Sequence, residues 1–143
     1  MMLHHISIGV ADIQQSMRFY DAVLGALGYV QVWQDICEGD DDQAVGYGVA
    51  GGGDLFCLKQ QKTTALAPGP GFHIAFAAPD KGAVTAFYQA ALLHGASCNG
   101  EPGPRPDYGD FYYAAFVVDP DGYRLEAVIN KSTDEGRCCT ANK

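Results

Sequence analysis

Long hydrophobic runs are missing from this chain. No stretch approaches the roughly 20 consecutive apolar residues of a membrane-spanning helix, so a helical membrane protein is not expected. Basic residues are scarce: nine Lys and Arg stand against 17 Asp and Glu, for a formal net charge of −8. They are also scattered, leaving no cationic patch for nucleic acid and no polybasic or basic amphipathic segment for an anionic membrane. The five cysteines, at 37, 57, 98, 138 and 139, are odd in number and match no zinc-ribbon or redox spacing. A reducing, cytoplasmic setting is the expectation that follows. The opening Met1-Met2-Leu3-His4-His5 lacks the charged and apolar regions of an export signal. Glycine, by contrast, is plentiful at 18 residues, and nearly half the chain is apolar. At 143 residues the chain suits one compact domain or two tightly fused half-size modules.

Self-similarity decides between these. Shifted by 68 positions, His5-Ile6 falls on His73-Ile74, Asp12 on Asp80, Phe19-Tyr20 on Phe87-Tyr88, Ala22 on Ala90 and Leu24 on Leu92. These seven identities across residues 5 to 24 need no gap, where chance gives about one or two. The halves read as duplicated copies of one unit.

Each copy has the same order of elements. Residues 3–10 alternate, with Ile6, Ile8 and Val10 on one face and His5, Ser7 and Gly9 on the other, the period of a half-buried strand. Asp12 and Gln15 form a candidate capping box, and Ile13, Met17, Tyr20 and Leu24 then recur at helical spacing, stopped by Gly25 and Gly28. Strands are predicted over 28–34, 43–50 and 55–60, separated by an acidic turn and by Gly51-Gly52-Gly53. The second copy predicts a strand at 71–78, an Asp80-capped helix to about His94, and strands near 96–99, 111–118 and 123–129. Residues 100–110 read as a proline-rich loop over the site. The expected architecture is therefore α+β, two tandem βαβββ modules in a single domain over 1–130. Module one spans 3–60, a linker 61–70 and module two 71–129, followed by a loose tail at 131–143.

Strand alternation places the chemistry. The apolar faces must cover the helices, so His5 and His73 point to the opposite faces at repeat-equivalent positions. In the last strand Leu125 and Ala127 pack inward, leaving Arg124, Glu126 and Val128 on that other face. Aligning the Gly53 and Gly122 turns makes Cys57 the counterpart of Glu126, with Leu55 and Lys59 on its face. His5, Cys57, His73 and Glu126 converge if the sheets curl into one cup. Two imidazoles and a carboxylate suit Zn²⁺, Ni²⁺, Fe²⁺ or Mn²⁺, and leave coordination positions open for a substrate. Cysteine is also among the residues most often simply buried, so Cys57 reads either way. Arg105 is a candidate partner for an anionic substrate. Tyr47, Tyr113 and Lys59 are candidate substrate contacts, as is Trp33 for an aromatic wall; Tyr112 and Tyr113 alternate, so one faces the cup and the other the helix.

The segment Leu3-His4-His5-Ile6-Ser7-Ile8-Gly9-Val10-Ala11-Asp12, with Phe19-Tyr20 and Leu24-Gly25, resembles the opening of glyoxalase I and its relatives in the vicinal-oxygen-chelate superfamily. Asp119-Pro120-Asp121-Gly122-Tyr123-Arg124-Leu125-Glu126 is similar to their closing motif. The resemblance covers 3–129 and is strongest to small bacterial glyoxalase/bleomycin resistance/dioxygenase proteins. It implies a cup-shaped mixed sheet, pairing of chains as homodimers, and metal ligands at His5, His73 and Glu126, with Glu126 also a catalytic proton acceptor. Cys57 stands where bacterial glyoxalase I carries a Glu, a departure that changes both metal preference and base. Two functions follow from different classes: a metal-dependent lyase or isomerase that chelates a small oxygenated substrate, or a metal-free cup that sequesters a small molecule in the bleomycin-resistance manner. Dioxygenase and thiol-transferase chemistries are further relatives, but extradiol dioxygenases draw their ligands from one module, whereas here the set is split between two.

Overall fold

The computed structural model describes residues 2–61 and 67–132, so most of the expected tail and the middle of the expected linker lie outside the described residues. Module one runs β1 (Ile6–Val10), α1 (Ile13–Ala26), β2 (Val30–Asp35), β3 (Ala44–Gly48) and β4 (Phe56–Gln60). Module two runs β5 (Ile74–Ala77), α2 (Lys81–Leu93), β6 (Ser97–Pro104), a 3₁₀ turn at Pro106–Tyr108, β7 (Tyr112–Val118) and β8 (Arg124–Asn130). The architecture is the α+β pair of βαβββ units that the repeat predicts.

Local chemistry sets the helix ends. Asp12 is extended and accepts from the backbone N–H groups of Gln14 and Gln15, satisfying two of the donors that the first turn leaves without partners. Asp80 does the same for Ala83 N at 2.7 Å. At the far end of α1 the chain turns through Gly28 at φ +92°, a conformation that a side chain disfavours, and Tyr29 N returns to Leu24 O. The buried face of α1 is Ile13, Ser16, Phe19, Tyr20, Val23 and Leu24, at the spacing of a single helical stripe.

Each module makes its own four-stranded sheet, in the orders β1-β4-β3-β2 and β5-β8-β7-β6. The first strand of each pairs parallel with the last, and the other pairs are antiparallel. Register confirms the repeat: Ser7 lies beside Cys57 in one sheet, and Ala75 beside Glu126 in the other. The stretch expected as a loop differs. Residues 100–104 continue β6, pairing Gly100 with Phe116, Gly103 with Ala114 and Pro104 with Tyr113 across two register shifts. Pro102 and Pro104 are tolerated because β6 is an edge strand, where a missing N–H donor leaves no ladder bond unmade, and the shifts absorb the irregularity.

The two apolar faces do not cover separate cores. Ile8, Val10, Val45, Phe56 and Leu58 from module one join Ile74, Phe76, Val117, Leu125 and Ala127 from module two in one cluster, together with the buried faces of both helices. Burying each large aliphatic or aromatic member contributes roughly 1.5–3 kcal/mol. Phe56 and Phe76 meet edge to face, with ring centres 5.2 Å apart. Polar clamps close the seam. Tyr20 on α1 donates to Asp119 at 2.6 Å, Tyr123 donates to Gly9 O at 2.7 Å, and Asp121 accepts from Ala11 N and the Ser16 hydroxyl. The Asp119–Gly122 turn expected from the sequence is therefore also the joint between modules.

Burial pushes the Asp119 carboxyl up to about 6, against the pull of the bonds it accepts from Tyr20 and from backbone N–H groups. The folded chain thus holds a proton that the unfolded chain releases between about pH 4 and 6. This group's stabilising share is complete below that window and is lost as pH rises through it. Denaturation of wild type and Asp119→Asn at several pH values is expected to show their stability difference moving against the wild type by roughly 2–3 kcal/mol at most between pH 4 and 6.5. A difference independent of pH would overturn the assignment.

Candidate functional site

The faces that carry the histidines are the ones turned away from the shared core. On module two, His73 Nε2 lies 3.1 Å from Glu126 Oε1. The imidazole side chain is 52% exposed and the carboxylate 2% exposed, so a buried acceptor faces an accessible ring. Tyr112 bonds the second carboxylate oxygen, Oε2, and its phenol is pushed up to about 12, first by burial and then by Glu126. Tyr108 packs edge-on to Tyr112. Phe116 pairs directly with Glu126 across the sheet and so shares its face, and the Arg105 guanidinium lies 5.4 Å from the Phe116 ring centre. Arg105 is held there by Glu101 O at 2.6 Å and Pro104 O at 3.2 Å, both backbone carbonyls.

The corresponding face of module one is built from different residues at equivalent positions. Across the sheet the row reads Ser7, Cys57, Gly46, Trp33. The Cys57 thiol donates to Asp54 Oδ2 at 2.8 Å. Burial, and then that bond, push the thiol up to about 11, while the same bond holds the Asp54 carboxyl below its ordinary value. The Trp33 indole rests against the Gly46 backbone: a Cβ on Gly46 would come within 2.3 Å of the indole nitrogen. His5 is exposed, and its Nδ1 lies 2.8 Å from that of His4, one ring donating and the other accepting.

The donor set suits a divalent transition metal. Two ligand atoms each about 2.0–2.2 Å from one ion stand roughly 2.8–3.1 Å apart at an octahedral angle and roughly 3.3–3.6 Å apart at a tetrahedral one, and the His73–Glu126 separation of 3.1 Å lies within that span. Yet among the described residues no three His, Cys, Asp or Glu side chains converge as one ion would need. The chain brings His73 together with Glu126, and Cys57 with Asp54, but does not bring the pairs into one site.

Other expected contacts are placed as follows. Lys59 is exposed on the Cys57 side of β4. Tyr47 is 2% exposed on the helix side and donates to Asp21 of α1 at 2.8 Å, because β3 alternation puts it with Val45 in the core. It also lines a cavity of about 450 Å³ between the β1 and β5 edges, whose walls are largely apolar. Tyr113 packs against the core under the Lys81 ammonium, which leaves Tyr112 as the tyrosine on the Glu126 face. Sequence reasoning missed Asp54, whose signal was its place three residues before Cys57 at the end of the triple-glycine turn.

Comparison with known proteins gives a consistent picture. Residues 2–127 match the sequence profile of the Glyoxalase/Bleomycin resistance protein/Dioxygenase superfamily. Lactoylglutathione lyase of Haemophilus influenzae is 29% identical over 146 aligned positions, covering 95% of this chain and 98% of that protein. A crystal structure of a glyoxalase/bleomycin resistance protein from Albidiferax ferrireducens aligns at TM-score 0.71 and 30% identity, covering 90% of this chain and 98% of the other. A glyoxalase I mutant from Zea mays aligns at TM-score 0.69 and 21% identity over 88% of this chain and 45% of its own, a likeness of fold.

Trp33 is the single tryptophan, so its emission reports on this face alone. Gly46→Ala is expected to displace the indole, shift the emission maximum to the red, and lower stability by about 1–3 kcal/mol. An unchanged spectrum in the folded variant would show that the ring does not rest on Gly46.

Proposed function

Since this chain belongs to the Glyoxalase/Bleomycin resistance protein/Dioxygenase superfamily, we propose that it is a glyoxalase-like, metal-dependent enzyme of lyase or isomerase type acting on a small oxygenated substrate. The observation that carries this reading is the His73–Glu126 pair, an accessible imidazole and a buried carboxylate at metal-ligand separation on a face equivalent to that of His5 and Cys57. In this reading the cup is made by two copies: module one of one chain meets module two of the other in a homodimer. What supports it is that no three such donors converge within one chain among the described residues.

His5, His73 and Glu126 would hold the ion, which is Zn²⁺, Ni²⁺, Fe²⁺ or Mn²⁺ on this donor chemistry. Bound there, it would supply polarisation of adjacent substrate oxygens through bidentate chelation. The chain's own residues do the rest. Glu126, buried and oriented through Oε2 by Tyr112, is the proton acceptor. Arg105, spread over Phe116 and bonded to the neutral carbonyls of Glu101 and Pro104, receives an anionic group on the substrate. We place the protein in the cytoplasm: Cys37, Cys57 and Cys98 are free thiols, and no helix among the described residues is long and apolar enough to cross a membrane.

Protein purified without chelator or affinity tag is expected to carry about one transition metal per chain, lost in His5→Ala and in His73→Ala. The split site makes a sharper prediction. After unfolding and refolding together, an equimolar mixture of the two variants should regain roughly a quarter of the wild-type metal, because each mixed dimer has one intact site and one doubly altered site. No recovery, with dimers present, would place the site within one chain. No metal in wild type, even after incubation with each ion, would favour the metal-free cup, its acidic surface suited to a cationic small molecule.

A further inference from the structure

On module one, the residue at the position equivalent to Glu126 is a thiol, but a carboxylate lies beside it. We infer that Asp54, rather than Cys57, supplies the module-one oxygen donor to the proposed metal site, with Cys57 and Trp33 acting as positioning residues for it. The inference rests on the metal-site reading above and names a ligand within it.

Three observations converge. The Cys57 side chain is almost fully buried in the sheet, at 2% exposure, whereas Asp54 is partly exposed at the mouth of the same face. The thiol has one hydrogen, and the geometry directs it to Asp54 Oδ2 at 2.8 Å, so Cys57 acts on the carboxylate as a donor. Trp33 reaches toward the same carboxylate from β2 and favours its charged form, and its ring fits there only because Gly46, between Trp33 and Cys57 in the sheet, has no side chain. A carboxylate held by a donor from β4 and flanked by an indole from β2 resembles a ligand with its supporting shell: the outer partners fix its direction, as Tyr112 does for Glu126. Each module then contributes one imidazole and one carboxylate, His5 with Asp54 and His73 with Glu126. The repeat keeps its chemical symmetry although Cys57 breaks it in the sequence. Such a set of oxygen and nitrogen donors takes harder ions than a set containing a thiolate.

Cobalt(II) added to the metal-free full-length protein distinguishes the two donors without any substrate. Thiolate bound to cobalt gives an intense near-ultraviolet charge-transfer band, which carboxylate does not. The expected result is binding without that band, quenching of the Trp33 emission, an affinity about 10–100-fold weaker in Asp54→Asn, and a smaller loss in Cys57→Ser. A charge-transfer band that disappears in Cys57→Ser would overturn the inference. So would unchanged affinity in Asp54→Asn while His5→Ala and His73→Ala abolish binding; that outcome leaves the metal-site reading intact. Failure of wild type to bind cobalt at all would overturn both. Circular dichroism of each variant separates loss of a ligand from loss of fold.

Discussion

The bond from Tyr20 to Asp119 is the constraint on which the rest of the arrangement depends. Both groups are buried, and neither would be tolerated there alone: a phenol and a carboxyl without partners each carry a desolvation penalty of a few kcal/mol. Paired, they tie α1 of the first module to the turn before the last strand of the second. Asp119 also accepts from the backbone N–H groups of Asp121 and Tyr123, so the same carboxyl shapes the turn that it anchors. Asp121 and Tyr123 then reach back to Ala11, Ser16 and Gly9. One short acidic turn thereby sets how the modules face each other.

That orientation has a consequence for chemistry. With the helix-covered faces of both sheets directed into a single core, the opposite faces are directed away from it, and His73 with Glu126 on one and Cys57 with Asp54 on the other stay separate among the described residues. The clamp that stabilises the chain therefore also keeps these two clusters apart.

Duplication left the two faces equivalent in position and different in composition. Where module one has Gly46 beside Cys57, module two has Phe116 beside Glu126; where module one has Trp33 at the edge, module two has Gly100. Each face thus keeps one aromatic ring and one glycine in exchanged places. A Cβ on Gly100 would come within 3.0 Å of the Phe116 ring, just as one on Gly46 would strike Trp33. The exchange keeps a ring over a glycine on each face while altering what lies beside it, Asp54 at one ring and Arg105 at the other.

Much of this was determined by the sequence itself. The 68-residue repeat, the two Asp caps and the strand alternation specify the βαβββ units and put His5, His73, Cys57 and Glu126 on the faces opposite the helices, because a strand's two-residue period and a helix's stripe are local properties of the chain. Tertiary structure decided what local periodicity does not encode. Alternation required that only one of Tyr112 and Tyr113 share the face of Glu126, but which one depended on the register of β7 against β8, which pairs Phe116 with Glu126 and so puts Tyr112, four residues earlier, on that face. It bonded Tyr47 to Asp21 of α1, and brought Asp54 from a glycine turn to the thiol of Cys57. Each of these contacts joins residues from separate elements or across a turn, so its geometry follows from how the elements pack and not from the spacing of residues along any one of them.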